Sequence, residues 1–190
     1  MTGTSTPPIR PGTIEVLGPM HLRDHYVGGG LDAHQPDDVT VDYDMVYRRS
    51  ESGPSVVVGT LPESLGDFAR MQELGIGAVV DLCRDILDEA MEASDRGMDY
   101  FGTYVQDTNA PSLEQFTETT AWMRARFDEG KNIYIHCHSG VGRAPTMTTA
   151  FLLREGLDLE SALALVKRER GVNISPRQIA GLEAFAASLT

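Results

Sequence analysis

The residues best equipped for chemistry stand together in Ile133-Tyr134-Ile135-His136-Cys137-His138-Ser139-Gly140-Val141-Gly142-Arg143. Cysteine is a nucleophile as its thiolate, and arginine can grip two oxygens of one anion in a fork. The five residues between them, His138, Ser139, Gly140, Val141 and Gly142, are enough to curl a loop whose backbone N–H groups point at a single anion. Glycine at 140 and 142 lets the backbone approach a ligand closely and adopt dihedrals closed to residues with a Cβ. The segment predicts a phosphate cradle, with the Cys137 sulfur beneath the phosphorus and Arg143 on its oxygens. Inward N–H dipoles, a helix beginning near Arg143 and the guanidinium charge all favour the thiolate. The competing structural reading is a buried cysteine at a strand end beside a tight turn.

Moving a phosphoryl group off a serine, threonine or sugar oxygen also needs a proton donor, because a fully charged alkoxide leaves poorly. An aspartate can serve as acid in the first step and as base in the second. Asp107, in Tyr104-Val105-Gln106-Asp107-Thr108-Asn109-Ala110-Pro111, is the candidate, with Asp99 and Asp85 next. Its structural alternative is a helix cap, but Ser112 with Gln115 already forms a good capping pair. His136, at a strand end, is expected to be buried with its ring hydrogen-bonded to nearby backbone. His138 either contacts substrate or is a solvated loop side chain.

His136-Cys137, five residues and then Arg143 resemble the signature of the cysteine-dependent protein tyrosine phosphatase superfamily, and the flanks resemble its compact dual-specificity branch. The similarity spans about residues 54–185, taking in Ser55-Val56-Val57-Val58-Gly59-Thr60-Leu61-Pro62 as an opening strand and turn and Ile76-Gly77-Ala78-Val79-Val80-Asp81-Leu82 as a second strand. The resemblance implies hydrolysis of phosphoesters through a phosphocysteine, with Cys137 as nucleophile, Arg143 and loop amides holding the phosphoryl group, and Asp107 as acid and base. It implies that His136 helps to order the loop and to depress the pKa of the thiol, and that no metal or cofactor is required, since dipoles and arginine supply the electrostatics. Some relatives keep a cysteine at the end of the second strand that bonds to the catalytic sulfur, which makes Cys83 a possible redox partner; the alternative is a small buried hydrophobe. One position departs from the common pattern. Ala144 stands where the family usually has Ser or Thr, as in the Gly-Arg-Ala-Pro variant of plant glucan phosphatases and some microbial relatives, and this implies slow breakdown of the phosphocysteine.

The elements that must position these residues alternate strand and helix. Residues 55–58, 78–82, 100–105 and 132–135 read as short buried strands; 65–74, 112–129, 144–155, 158–170 and 176–188 repeat apolar residues at helical spacing. On the helix over 112–129, Leu113, Phe116, Thr120, Met123 and Phe127 fall near one face, and Trp122 reads as packing. The expected fold is α/β: a central, mostly parallel sheet of four to five strands flanked by helices, tyrosine phosphatase-like, with the site at the strands' C-terminal rim.

Residues 51–190 read as the catalytic domain and residues 1–50 as an N-terminal extension, partly flexible. Within the extension, His21, His25 and His34 allow a metal site, and an arm packed on the domain or bordering the pocket is the preferred alternative. Near the other end, Asn173 reads as a turn residue beside the site and Arg177 as a second cation for an acidic substrate. The net charge of −12 disfavours nucleic acid and anionic membrane as partners. Two cysteines are too few for a disulfide scaffold, and no signal peptide or long apolar run is evident, so a cytoplasmic setting is expected. A phosphorylated protein is the first substrate expected, and a phosphorylated glycan or small metabolite the second. From other classes, a weakly active phosphate-binding module and a rhodanese-like sulfur carrier remain as competitors.

Overall fold

The computed structural model describes residues 12–17, 39–83 and 87–190. In chain order the elements are β1 (Ile14–Leu17), β2 (Tyr43–Arg48), β3 (Ser55–Gly59), α1 (Leu65–Glu73), β4 (Ile76–Asp81), α2 (Leu87–Asp95), β5 (Asp99–Thr103), α3 (Leu113–Asp128), β6 (Asn132–His136), α4 (Arg143–Arg154), α5 (Leu159–Glu169) and α6 (Pro176–Ser188). The strands form one six-stranded sheet in the order β1-β5-β4-β6-β3-β2, with only β2 antiparallel to its neighbour. The α/β class and the mostly parallel sheet agree with the sequence reading.

Burial explains why the inner strands read as continuous apolar runs: helices cover both faces of a parallel sheet, so neither set of alternating side chains meets water. Val56, Val58, Ala78, Val80, Phe101, Ile133 and Ile135 face a core completed by residues of α3, α4, α5 and α6. Val57, Val79, Tyr100 and Tyr134 face the opposite way, against Phe68 and Met71 of α1 and Ala90 and Ala93 of α2. Three helix starts are fixed by reciprocal capping boxes, Ser64 with Asp67, Ser112 with Gln115 and Ser175 with Gln178. Asp67 does more than cap. Its carboxylate also accepts from the backbone of Thr40, Val41 and Glu63 and from the Thr40 hydroxyl, and these bonds outweigh burial and hold its pKa below the ordinary carboxylate value.

Two strands, β1 and β2, lie within residues 1–50, the stretch set apart as an extension by sequence. β2 is an edge strand with an irregularity between Met45 and Tyr47, and of its side chains only Val46 is fully buried. Its weak apolar alternation follows from that position. β1 joins the other edge through parallel pairing of Ile14 with Tyr100 and Leu17 with Thr103. The side chain of Asp99 anchors it from below, accepting from the Thr13 amide at 3.0 Å and pairing with Arg126 and Lys131. α2 is a further element with no counterpart in the sequence reading. His21, His25 and His34 lie outside the described residues, as do Asp85 and, apart from Gly12, the segment 1–12 read by sequence as the flexible part of the extension.

Candidate active site

β6 lies between β4 and β3 in the middle of the sheet, and Cys137 follows its last residue at the C-terminal rim, 1% exposed. The loop 138–142 then carries the chain into α4. Its carbonyls are engaged from outside: His138 O accepts from Leu61 N at 3.1 Å, Gly140 O from Arg170 Nε at 3.2 Å, Val141 O from Asn173 N at 2.7 Å and Gly142 O from Thr146 N at 3.0 Å. In a trans peptide the N–H opposes the carbonyl, so the amides of Ser139, Val141, Gly142 and Arg143 point away from these partners. α4 adds to it. Gly142 caps the helix without a side-chain bond, and the first turn carries no acidic residue, which leaves an N-terminus suited to an anion. Gly140 is required as glycine, since φ is +68° and a Cβ there would stand 2.6 Å from Gly59 O and 2.8 Å from Arg170 Nη2.

Arg170 ties this ring to the sheet edge. Its buried guanidinium pairs with Asp42 at 3.0 Å and Asp44 at 2.8 Å, both ahead of or within β2, while its Nε holds Gly140.

Arg143 begins α4 and is itself buried, its Nη1 donating to Val105 O at 3.0 Å. Its Nε lies 3.3 Å from Asp107 Oδ1, and Asp107 is 78% exposed. The candidate acid therefore stands at the mouth of the cradle, with its loop reaching across to the arginine. Ser112 and Gln115 satisfy the start of α3 by themselves, so Asp107 is not needed as a cap. Thr108, directly after it, is the one non-glycine with positive φ among the described residues, at +64°, a strained conformation for a β-branched residue. The first turn of α6 secures the loop: Ser175 Oγ donates to Thr108 O at 2.8 Å, Gln178 Nε2 to Asn109 O at 3.3 Å and Arg177 Nη1 to Asn109 Oδ1 at 3.3 Å. Gly181 of α6 allows the close approach, because a Cβ there would meet Ala110 Cβ at 2.5 Å.

Behind the cysteine, His136 is fully buried, but its ring faces carboxylates and not the backbone expected from sequence. Nε2 is 2.6 Å from Glu89 Oε1 and Nδ1 is 3.9 Å from Asp81 Oδ1. Burial opposes the imidazolium charge, yet Glu89, Asp81 and Cys137 together raise its pKa to about 9. Asp81 also accepts from Cys83 N at 2.6 Å and from the Tyr100 hydroxyl at 2.7 Å. Burial first, and then these carboxylates, push the Tyr100 pKa well up, so it stays a proton donor to Asp81. Asp81 and His136 are paired in register, and Leu82 N donates to His136 O at 3.1 Å, which brings Cys83 out at the same rim as Cys137; both thiols are buried.

The structure thus brings Cys137, Arg143, Asp107 and the ring 138–142 together. His138 and Ser139 are exposed on that ring, and Asn173 borders it through its backbone. Asp99 stands at the other end of its strand, in the anchor of β1. Thr146 and Thr148 spend their hydroxyls on the α4 backbone, at Gly142 O and Ala144 O. Leu113 is exposed and not on the buried face of α3, whereas Trp122 is buried there against Phe101. Sequence reasoning missed Glu89 and Arg170. A glutamate in an otherwise acidic and small-residue helix looks solvated, and only the Arg170-Gly171 stop hinted at the second.

A family model described as "Polymorphic toxin system, DSP-PTPase phosphatase" matches residues 58–157. Protein tyrosine phosphatase type IVA 3 of Mus musculus is 24% identical over 155 residues, covering 80% of this chain and 86% of the mouse protein. Among solved structures, a mutant form of Tk-PTP is 30% identical with a TM-score of 0.65, over 74% of this chain and 95% of that one. Human DUSP28 shares the fold at 22% identity and a TM-score of 0.64, over 77% of this chain and 96% of that one. With a signature cysteine at the rim of such a sheet and a match over more than half its length, the chain belongs to the DSP-PTPase phosphatase family of polymorphic toxin systems and is a cysteine-dependent phosphatase of the dual-specificity type.

Proposed function

We propose that the chain hydrolyses phosphotyrosine and phosphoserine or phosphothreonine in proteins through a phosphocysteine on Cys137. The thiolate attacks phosphorus in line with the scissile P–O bond, while Arg143 and the inward amides of 139 and 141–143 take up the charge spreading over the phosphoryl oxygens. The P–O bond breaks and the Asp107 proton passes to the leaving oxygen. Asp107 then takes a proton from water, whose oxygen attacks phosphorus, and the S–P bond opens to return the thiolate and release inorganic phosphate. The observation that carries this reading is Asp107 Oδ1 standing 3.3 Å from Arg143 Nε at the open side of the cradle. Protein substrates are supported by the type IVA relatives and by a rim, residues 138–142, without Lys or Arg, in a chain of net charge −12. No helix among the described residues is long and apolar enough to cross a membrane. A reducing, cytoplasmic setting suits a nucleophile that must remain a thiol. Vanadate-sensitive phosphate release from phosphotyrosyl and phosphothreonyl peptides tests the activity, and capture of phosphoproteins by an Asp107→Ala variant tests the substrate class; release confined to phosphosugars would overturn it.

Two residues modulate this cycle. Ala144 puts a methyl group where a hydroxyl could stabilise the departing thiolate, and it is fully buried in the first turn of α4. Rapid-quench kinetics on an activated aryl phosphate are expected to show a burst, and Ala144→Ser should raise the steady rate several-fold, about 1 kcal/mol of barrier. Absence of a burst together with an unchanged steady rate rejects it. We further propose that Cys83, at the same rim as Cys137, traps an oxidised nucleophile: peroxide converts the Cys137 thiolate to a sulfenic acid, and the Cys83 thiol displaces water to form a disulfide. Peptide mapping after peroxide should recover Cys83 linked to Cys137, with activity restored by a dithiol; irreversible inactivation without the linked peptide counts against the bridge.

A further inference from the structure

Beside the cradle lies a groove that the catalytic residues do not use. It encloses about 330 Å³ and opens to solvent between α5, the loop that follows it and α6. Leu163 of α5, Val172 and Ile174 of the loop and Ile179 of α6 form apolar walls, each of them half-buried, and Leu163 and Val172 also pack against the main core. Aliphatic walls left open to water gain free energy when an apolar group fills them. The same stretch of chain also supports the cradle from outside. Asn173, between Val172 and Ile174, donates its N–H to Val141 O at 2.7 Å, so residues 172–174 hold the ring on one side and line the groove on the other. Ser175 and Gln178 fix that stretch in turn, capping α6 and donating to Thr108 O and Asn109 O of the Asp107 loop. Lys167, in the last turn of α5, stands exposed at the groove. Its neighbour Arg168 pairs with Glu169, whereas Lys167 has no ion-pair partner among the described residues.

We propose that this groove is a specificity site for the phosphorylated protein: it takes a large apolar side chain about three residues from the phosphorylated one, with an adjacent Asp or Glu of the substrate on Lys167. The proposal rests on the reading that the substrate is a phosphoprotein. Its spacing follows from the backbone contacts. Two hydrogen-bonded chain spacings of about 5 Å each, from the ring's centre to its own backbone and from there to residues 172–174, separate a bound phosphoryl group from the groove. An extended peptide covers that ~10 Å in about three residues. The volume holds one or two large side chains and is too small to seat a helix about 10 Å across. Charge points the same way, because in a chain of net charge −12 an unpaired lysine beside an apolar groove attracts a carboxylate supplied by another molecule. A contact this far from phosphorus is made equally in the ground state and the transition state, so its effect falls mainly on KM.

Phosphotyrosyl and phosphothreonyl peptides with Leu or Ala placed in turn at each flanking position test this. At one position about three residues from the phosphate, Leu should raise kcat/KM roughly tenfold over Ala, mostly through a lower KM. Ala164 lines the groove and is exposed on α5, so Ala164→Trp fills the space without entering the core. That variant should erase the Leu preference, lowering the ratio of kcat/KM for the Leu peptide to that for an activated aryl phosphate by the same factor. Lys167→Glu, also at an exposed position, should turn a preference for Glu beside that Leu into one for Lys. A wild-type enzyme indifferent to the flanking residues, or a preference that survives the variant aimed at it, overturns the proposal while the protein phosphatase reading stands. Hydrolysis of phosphosugars with no peptide hydrolysed removes that reading and the proposal with it. Concentration-dependent dimerisation that Ala164→Trp abolishes, with peptides hydrolysed without selection, gives the groove to a second copy of the chain and likewise overturns the proposal.

Discussion

Cys137→Ser is expected to lower phosphate release by more than about 10^3-fold on every phosphoester, because a neutral hydroxyl replaces the thiolate proposed to form the covalent intermediate. The fold should survive. The position is buried among residues of β6 and α4, a serine fits the same space, and its hydroxyl replaces a thiol at a cost of about 1 kcal/mol in stability. Binding of inorganic phosphate should also persist, since the ring amides and Arg143 are untouched. A folded variant that still binds phosphate and still turns over at the wild-type rate would remove Cys137 from the mechanism, and calorimetry with steady-state kinetics makes the comparison directly.

The second large effect distinguishes the acid from a loop residue that merely supports the arginine. Asp107→Asn keeps the size and much of the polarity of the side chain beside Arg143 but cannot deliver a proton. With a serine, threonine or tyrosine leaving group, kcat should fall by about 10^2- to 10^4-fold. With an aryl phosphate whose phenol leaves readily as the anion, the loss should shrink to within about tenfold, because the proton contributes little to that transition state. A loss equal for both leaving groups would mean that Asp107 acts only by holding Arg143, 3.3 Å away. The wild-type enzyme should show little dependence of rate on leaving-group basicity, and the variant a steep one.

How far the sequence could be read depended on whether a residue's role is local. Cys137, Gly140, Gly142 and Arg143 lie within seven residues, and the role proposed for them follows from how a short backbone can fold around an anion. Asp107 stands out as a candidate because Ser112 and Gln115 cap α3 by themselves. The inner strands were legible from unbroken β-branched runs. β2 was not, since an edge strand with one buried side chain of six carries almost no periodicity. α2 and Glu89 were opaque for a related reason: acidic residues crowd that helix, and nothing local says that one of them points into the sheet at a histidine forty-seven positions later. His136 was expected to satisfy its ring on backbone, and the carboxylates that it meets come from β4 and α2.

The guanidinium that spans Asp42, Asp44 and Gly140 carries a consequence for solution conditions. Its acidic partners are open to water, 77% and 47% exposed, whereas the cation itself is only 3% exposed. Dissolved ions can therefore screen the two surface carboxylates far more readily than the enclosed charge that they balance. Ionic strength becomes a lever on the cradle, acting at a distance from any substrate: concentrated salt slackens the tie between the sheet margin and the Gly140 carbonyl. A shortened chain beginning beyond Asp44 would go further and strand that cation altogether.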